Sequence, residues 1–528
     1  MLQLPDDLLA YISTFLSNKE KKRLRSTSKR LHSFCTLRID RVFISPSYKN
    51  IEVFRAIADH PVLCKQVKEI IWDDARFEKF EPDDQEDDSL PEERVRNKVD
   101  FENAREENLM SVAGEENAFV QARASGFDPV TVEPLSTEPL LVEEYLSLDE
   151  SFDLYNRLYE EQETIIRDGL DVEAFREGLR AFTALQRVTV TSEAYRPNII
   201  TPCYSTPLII SFPLGYSYPA PWPWMPETVD EAHSEISLED IKTHWHGVAV
   251  VLDALAKHDR LIPEFVIDTR YEQLGIPYQL FDSPSDILTN FETLCRRGLR
   301  RLDLAINTFC NFRNPGLRQL PRGQLKSVLA KATSLEHFSL HASSGEHAAY
   351  DSHRVQNETM DALSAIPLHS WLLKHITLSS VPVIYSDLVE FLRRLPKDIR
   401  SVGLINVEFT ESTYKQLLEK CRDELHWTAG RPKLAIAHQE GGQLESRKLW
   451  VEEDIADFFR GGHNPFEGRS RGNWIQQGFG VLRDDFDEDF CKSNVPDPMY
   501  HVCTSPGVYR VKTREEVAEE QRQREGGE

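Results

Sequence analysis

The residues best suited to chemistry are scattered along the chain. His244-Trp245-His246 sets two imidazoles at i and i+2, a spacing that brings both to one side only on a strand. The flanking Glu239-Asp240-Ile241-Lys242 and Val248-Ala249-Val250 read as helix, which separates the rings, and no further zinc ligands accompany them. A structural role fits the pair better. Cys295 and Cys310 lie in apolar or basic surroundings without a histidine partner, as inert core thiols do. Gly461-Gly462-His463-Asn464-Pro465, followed by Gly468, lacks the residue order of either phosphate-binding glycine motif. It reads as a turn after a helix around Val451 to Phe459. Asp484-Asp485 and Asp487-Glu488-Asp489 form a solvated acidic run in which no spacing singles out a catalytic pair. The expectation is a protein that is not an enzyme, with no catalytic residue, cofactor or metal.

Composition narrows the classes further. At 528 residues the chain exceeds one ordinary core and implies two to four domains or one elongated repeat domain. Forty per cent hydrophobic residues with 10% aromatics is globular composition. No apolar run reaches bilayer length, and Pro5, Asp6 and Asp7 interrupt any leader pattern, so neither a membrane span nor a signal peptide is expected. The eight cysteines include no C-x-x-C pair, which fits a reducing compartment, cytoplasmic and/or nuclear. A net charge of -25 argues against nucleic acid as partner.

The elements that must position a site begin with three short helices in the first 45 residues. Pro5 suits a first helical position, and Asp6 and Asp7 favour the positive end of a helix. Leu8, Leu9, Ile12, Phe15 and Leu16 recur on one helical face. Ser17-Asn18-Lys19-Glu20 reads as a capping box for a second helix. A third helix is expected from Ser26 or Thr27, carrying Leu31, Phe34 and Cys35 inward. Helices this short need a partner or a following domain to complete their core.

Beyond them, one pattern recurs: apolar, two residues, apolar, one residue, apolar. It falls at Val67/Ile70/Trp72, Leu185/Val188/Val190, Leu299/Leu302/Leu304, Leu335/Phe338/Leu340, Leu373/Ile376/Leu378 and Ile399/Val402/Leu404. From the third instance the units start 36, 38 and 26 residues apart, and helical stretches are expected at 284–297, 323–332, 385–395 and 413–424. Each unit would pair a strand with a helix, and stacking would bury a shared seam. The spacing is looser than an ideal leucine-rich repeat, so an irregular repeat-like α/β solenoid and an ordinary α/β domain both fit. Either way, strands alternating with helices predict parallel pairing.

Two segments interrupt the pattern. Residues 73–116, crowded with acids such as Asp83-Asp84-Gln85-Glu86-Asp87-Asp88, read as exposed insertion with a helix near 91–107. Residues 197–227, with Tyr216-Ser217-Tyr218-Pro219-Ala220-Pro221-Trp222-Pro223-Trp224, read as an ordered loop or lid. The expected organisation is a helical unit at 1–45, a repeat-like α/β domain at 50–430, a capping segment at 431–513 and a charged tail at 514–528. The cap would use Leu449, Trp450, Ile455, Phe458, Phe459, Trp474, Ile475 and Phe479.

The run Leu4-Pro5-Asp6-Asp7-Leu8-Leu9, Ile12, Phe15-Leu16-Ser17, Leu24-Arg25 and Thr27-Ser28-Lys29-Arg30-Leu31 resembles the F-box of large fungal families. The resemblance implies that the chain is a substrate receptor of an SCF-type ubiquitin ligase. A Skp-type adaptor would bind the F-box and link it to cullin and RING subunits, while the rest of the chain, similar to leucine-rich-repeat receptors, binds a client protein. Carried over by position, Leu4, Pro5, Leu8, Leu9, Ile12 and Leu16 would bury against the adaptor or orient the helices that do, and Leu24 and Leu31 would complete the small core. Glu20-Lys21-Lys22 departs from the family, which has apolar residues there. Lys19, Lys21, Lys22, Arg23, Arg25, Lys29 and Arg30 are expected to form a basic surface that steers an acidic adaptor.

Overall fold

The structure is a computed structural model that describes residues 5–16, 18–35, 37–79, 101–102, 146–194, 204, 206–212, 222, 238–269, 275–281, 284–307, 324–343, 362–381, 383–407, 409–410, 412–439, 447–467, 475–476, 478–484 and 491–493. Leu4, Ser17, Asp83 to Asp88, Trp224, Cys310, Trp474, the run Asp485 to Asp489 and the tail lie outside the described residues.

Three helices open the chain: α1 (Asp6–Thr14), α2 (Asn18–Thr27) and α3 (Lys29–Phe34). Helix α3 starts later than the sequence suggests. Its cap is Ser28, whose hydroxyl accepts the Leu31 N–H at 3.1 Å. Leu31 and Cys35 are buried.

A 13-stranded mixed sheet follows. Its first members are β1 (Arg41–Ile44), β2 (Glu69–Asp73), β3 (Arg187–Thr191), β4 (Glu264–Ile267), the short β5 (Ile276–Pro277), β6 (Arg301–Asn307) and β7 (His337–Ser343). Next come β8 (His375–Ser379), β9 (Val383–Ile384), β10 (Ser401–Ile405), β11 (Phe409–Thr410) and β12 (Lys433–Gln439). Strands β1, β2, β3, β4, β6, β7, β8, β10 and β12 pair in parallel in that order, so neighbours in space are neighbours in sequence. Strand β5 pairs with β6, and β9 pairs with β11 apart from the sheet. Three antiparallel strands, β13 (Arg447–Trp450), β14 (Val481–Asp484) and β15 (Cys491–Ser493), complete the far edge.

Parallel strands need crossovers, and helices supply most of them on one face. They are α4 (Tyr48–Ala58), α5 (Leu148–Asp168), α6 (Leu170–Ala181), α7 (Leu238–His244), α8 (His246–Lys257), α9 (Asp286–Arg296), α10 (Leu325–Leu329), α11 (Tyr385–Arg393), α12 (Tyr414–Asp423) and α13 (Glu452–Phe459). Helix α9 shows why. Ser285 caps it by accepting the Leu288 N–H, and Ile287, Leu288, Phe291, Leu294 and Cys295 form its buried stripe. Thr413 and Gln416 cap α12 reciprocally. Helix α10 is shorter than the 323–332 span expected.

All six apolar triads sit on the helix-covered face, and every one of their residues is buried in one continuous core. The sequence reading missed two more on the same face: Ile39/Val42/Ile44 at β1 and Ile262/Phe265/Ile267 at β4. Each buried Leu or Ile contributes about 1.5–3 kcal/mol, so the triads carry much of the stability. Of the capping residues, Ile455 and Phe458 are buried in this core, and Phe459, Ile475 and Phe479 pack against it.

The expectation of exposed loop from residue 73 fails at its start. Asp73, Asp74, Ala75 and Phe77 are buried, as is Phe101. The 197–227 segment supplies the cover. Tyr204, Ile209 and Phe212 lie over Phe43 and Ile71, and Trp222 is 1% exposed.

Candidate functional site

Two surfaces can bind a partner, and the first is α1. The Pro5 carbonyl accepts the Leu8 and Leu9 N–H groups, each at 3.1 Å, which starts the helix and fixes its faces. Leu9 turns inward, and Ile12 and Leu16 are half-buried. Leu8 (48%), Tyr11 (63%) and Phe15 (71%) stay exposed in one stripe, with the Tyr11 and Phe15 rings edge to face at 5.0 Å. Of the site residues expected from sequence, Pro5 and Leu8 are exposed, Leu24 is half-buried, and Leu9 and Leu31 are core. Tyr11 was missed, and Phe15 was read only as core spacing. The signal was spacing: Tyr11 follows Leu8 by three residues, and Phe15 follows Tyr11 by four.

The expected basic surface is smaller than proposed. Lys21 is buried at 6% exposure. Arg25 is turned in, donating to the Cys35 carbonyl at 2.7 Å at the end of α3, and lies 2.8 Å from the His32 ring. Lys22, Arg23 and Lys29 remain exposed. Basic side chains at a helix C-terminus satisfy its carbonyls, so Arg25 is held for folding.

The second surface is the sheet face opposite the helices. One row of residues crosses nine strands in register: Arg41, Glu69, Arg187, Glu264, Arg301, His337, His375, Ser401 and Lys433. Glu69 lies 2.8 Å from Arg41 and 3.8 Å from Arg187, and Arg187 lies 2.7 Å from Glu264. Arg301 turns along its own strand to Asp303 at 2.5 Å. The His337 and His375 rings stack at 5.7 Å. Burial, partly opposed by Asp303, pulls His337 down to about 4. Burial first, then Arg400 and Lys374, also lowers His375.

Two residues further along, the face hollows into a groove of about 300 Å³. Ser339, Thr377 and the adjacent Gly403 give it small side chains, Asp268 and Asp303 stand at one side, and Lys448 and Trp450 at the other. Tyr204 donates its hydroxyl to Asp268 at 2.6 Å. Asp303 therefore lines this groove, and His244 and His246 are not part of its lining.

The two histidines end on different helices. Exposed His244 closes α7, and His246 opens α8 with its Nε2 2.8 Å from the buried Asp171. Trp245 between them is buried and donates to the Gly275 carbonyl at 3.0 Å. Burial pushes the Cys295 thiol up to about 12, which leaves it protonated. Among the described residues no group of three or more His, Cys, Asp or Glu is placed to hold a metal ion, and no helix is long and apolar enough to cross a membrane.

Comparison with known proteins adds one finding. Residues 1–41 match the F-box domain family. No curated protein matches the chain.

Proposed function

We propose that this F-box-bearing chain is the non-catalytic substrate receptor of an SCF-type ubiquitin ligase. The observation that carries the reading is the F-box match at residues 1–41 on helices that leave Leu8, Tyr11 and Phe15 uncovered. An exposed apolar stripe of this kind is an interface candidate. In this reading a Skp-type adaptor covers α1 and brings cullin and RING subunits. Leu4, Pro5, Leu8 and the half-buried Ile12 and Leu16 meet the adaptor. Leu9, Leu24 and Leu31 orient the helices. The sheet is read as an irregular leucine-rich-repeat-like solenoid of the fungal F-box type. Strand order that follows chain order, and a triad repeated on the helix side, support that reading. The open face takes the client protein, and the protein works in the cytoplasm, the nucleus or both.

An affinity pull-down of the full-length protein beside a Leu8→Asp/Phe15→Asp variant tests this. Both residues are exposed, so the variant folds. Adaptor and cullin should accompany the wild type and disappear with the variant. Recovery of neither with either protein overturns the reading. A second reading, an adaptor-bound scaffold without ligase role, is favoured by the charged Lys21-Lys22 pair in α2. It predicts adaptor without cullin.

A further inference from the structure

The paired charges on the open face run out before the sheet does. From β1 to β4 the strand-start row alternates in sign, with Glu69 placed between Arg41 and Arg187. The residues that immediately precede the strands continue the alternation in a second row. There Glu336 is shared by Arg300 at 3.4 Å and Lys374 at 2.8 Å. Past β8 no acid follows. Ser401 stands where alternation requires one in the first row, and Arg400 stands there in the second.

Arg400, exposed and just before β10, has no ion-pair partner among the described residues. Its neighbours add to the excess. Among the described residues Lys433 reaches only Glu452, at 3.5 Å, and Arg483 already holds that carboxylate at 2.8 Å. Glu336 is already engaged by Lys374 at 2.8 Å, and Asp398 is exposed in the turn before β10 beside the exposed Lys397. Burial is the main cause that lowers His375; Arg400 and Lys374 add to it and Glu336 opposes it, which fits cations standing close to the strand-start row.

The geometry points to Lys374, His375, Arg400, Ser401 and Lys433 as the docking strip for an acidic segment of the client, its Asp or Glu side chains laid across β8, β10 and β12. The inference rests on the receptor reading above. Three observations favour carboxylates in a row. The cations are spread one to a strand, about 4.8 Å apart, whereas a single phosphate calls for donors converging on one point. The strip continues into the groove, because β8 runs from His375 through Thr377 to Ser379, and both of the latter line it. The chain as a whole, at net -25, repels an acidic partner, so attraction confined to this strip also fixes where the partner lies.

Fluorescence anisotropy on the full-length protein with a fluorescein-labelled hexaglutamate peptide tests the strip. Wild type should bind at low salt and lose affinity as salt rises. Arg400→Glu, which breaks no described ion pair, should weaken binding about tenfold or more. Lys326→Glu, an equal charge reversal at an exposed position of α10, should leave it unchanged. Absence of wild-type binding, an unchanged affinity in Arg400→Glu, or an equal loss in Lys326→Glu overturns the inference. Tenfold tighter binding of a hexaphosphoserine peptide overturns the carboxylate assignment. Pull-downs separate the two claims. Adaptor recovery without peptide binding sinks the strip alone, and peptide binding without adaptor recovery sinks the receptor reading alone.

Discussion

The indole N–H of Trp222 donates to the carboxylate of Asp74 at 2.8 Å, across 148 residues of chain. The Gly247 backbone N–H donates to the same carboxylate at 2.8 Å, and Arg76 lies 3.5 Å away. One fully buried acid thus ties the proline-rich segment and the start of α8 to the end of β2. Asp74→Ala leaves two buried donors without an acceptor and should cost about 2–5 kcal/mol. Asp74→Asn, which keeps one acceptor oxygen, should cost less. Thermal unfolding of both variants checks the order, and equal midpoints for Asp74→Ala and wild type would remove the anchor's importance.

Its neighbour Asp73 makes stability depend on pH. Burial raises its carboxyl from 3.8 to about 7; the Ala75 N–H opposes the shift and the Asp74 charge adds to it. The folded state therefore holds a proton that the unfolded chain releases near pH 4. Asp73's contribution is full below pH 4, falls as pH rises through about 7, and is constant above. Asp73→Asn should remove this slope. The variant should be more stable than wild type at pH 8, by roughly 1–4 kcal/mol, with the gap closing toward pH 4. Denaturant midpoints across that range would refute the assignment if the gap stayed constant.

Gly247 is fixed by space. A Cβ there meets the Trp72 ring, and the Asp74 carboxyl carbon lies only 2.8 Å away. Trp72 is fully buried and packs edge to face on Phe175 at 5.5 Å, so it has no room to retreat. Gly247→Ala should destabilise by about 1–3 kcal/mol or more through overpacking, although helix propensity alone favours alanine. A raised midpoint in calorimetry would mean that this end of α8 moves freely.

Lys21 occupies a buried position in α2 where an apolar side chain suits the small helical core. Lys21→Leu should stabilise by about 1–2 kcal/mol, since it places a hydrocarbon side chain at a buried position now held by a lysine. The same variant should retain more adaptor in the pull-down. A lower unfolding midpoint would show that the ammonium is needed where it lies.

Much of this architecture was legible because the triads repeat wherever a strand faces the helices. Leu302, Phe338, Ile376 and Val402 pair in neighbouring strands at the positions the pattern implies. The triad Ile262/Phe265/Ile267 escaped notice because Pro263 sits inside it, and proline argues against a central strand. Here Pro263 precedes β4, and its carbonyl accepts the N–H groups of Arg300 and Arg301. Ile39/Val42/Ile44 was hidden by its place at the end of a helical segment. Asp73 and Asp74 misled for another reason. Local composition marks an acid as solvated, but the donors and cover that make its burial tolerable come from residues 222 and 247. The α1 stripe was half legible. Spacing showed an apolar face at Leu8, Leu9 and Ile12, but not that Tyr11 and Phe15 would stay outside.

The agreement between strand order and chain order also sets a timetable. A chain emerging from the ribosome completes α1–α3 before it adds β1, β2 and β3 at a growing edge. No later parallel strand wedges between earlier ones. The docking helices exist before the groove, and β8, β10 and β12, with their cations, arrive near the end. On the receptor reading, a nascent chain can therefore meet an adaptor before the strip proposed for an acidic client exists.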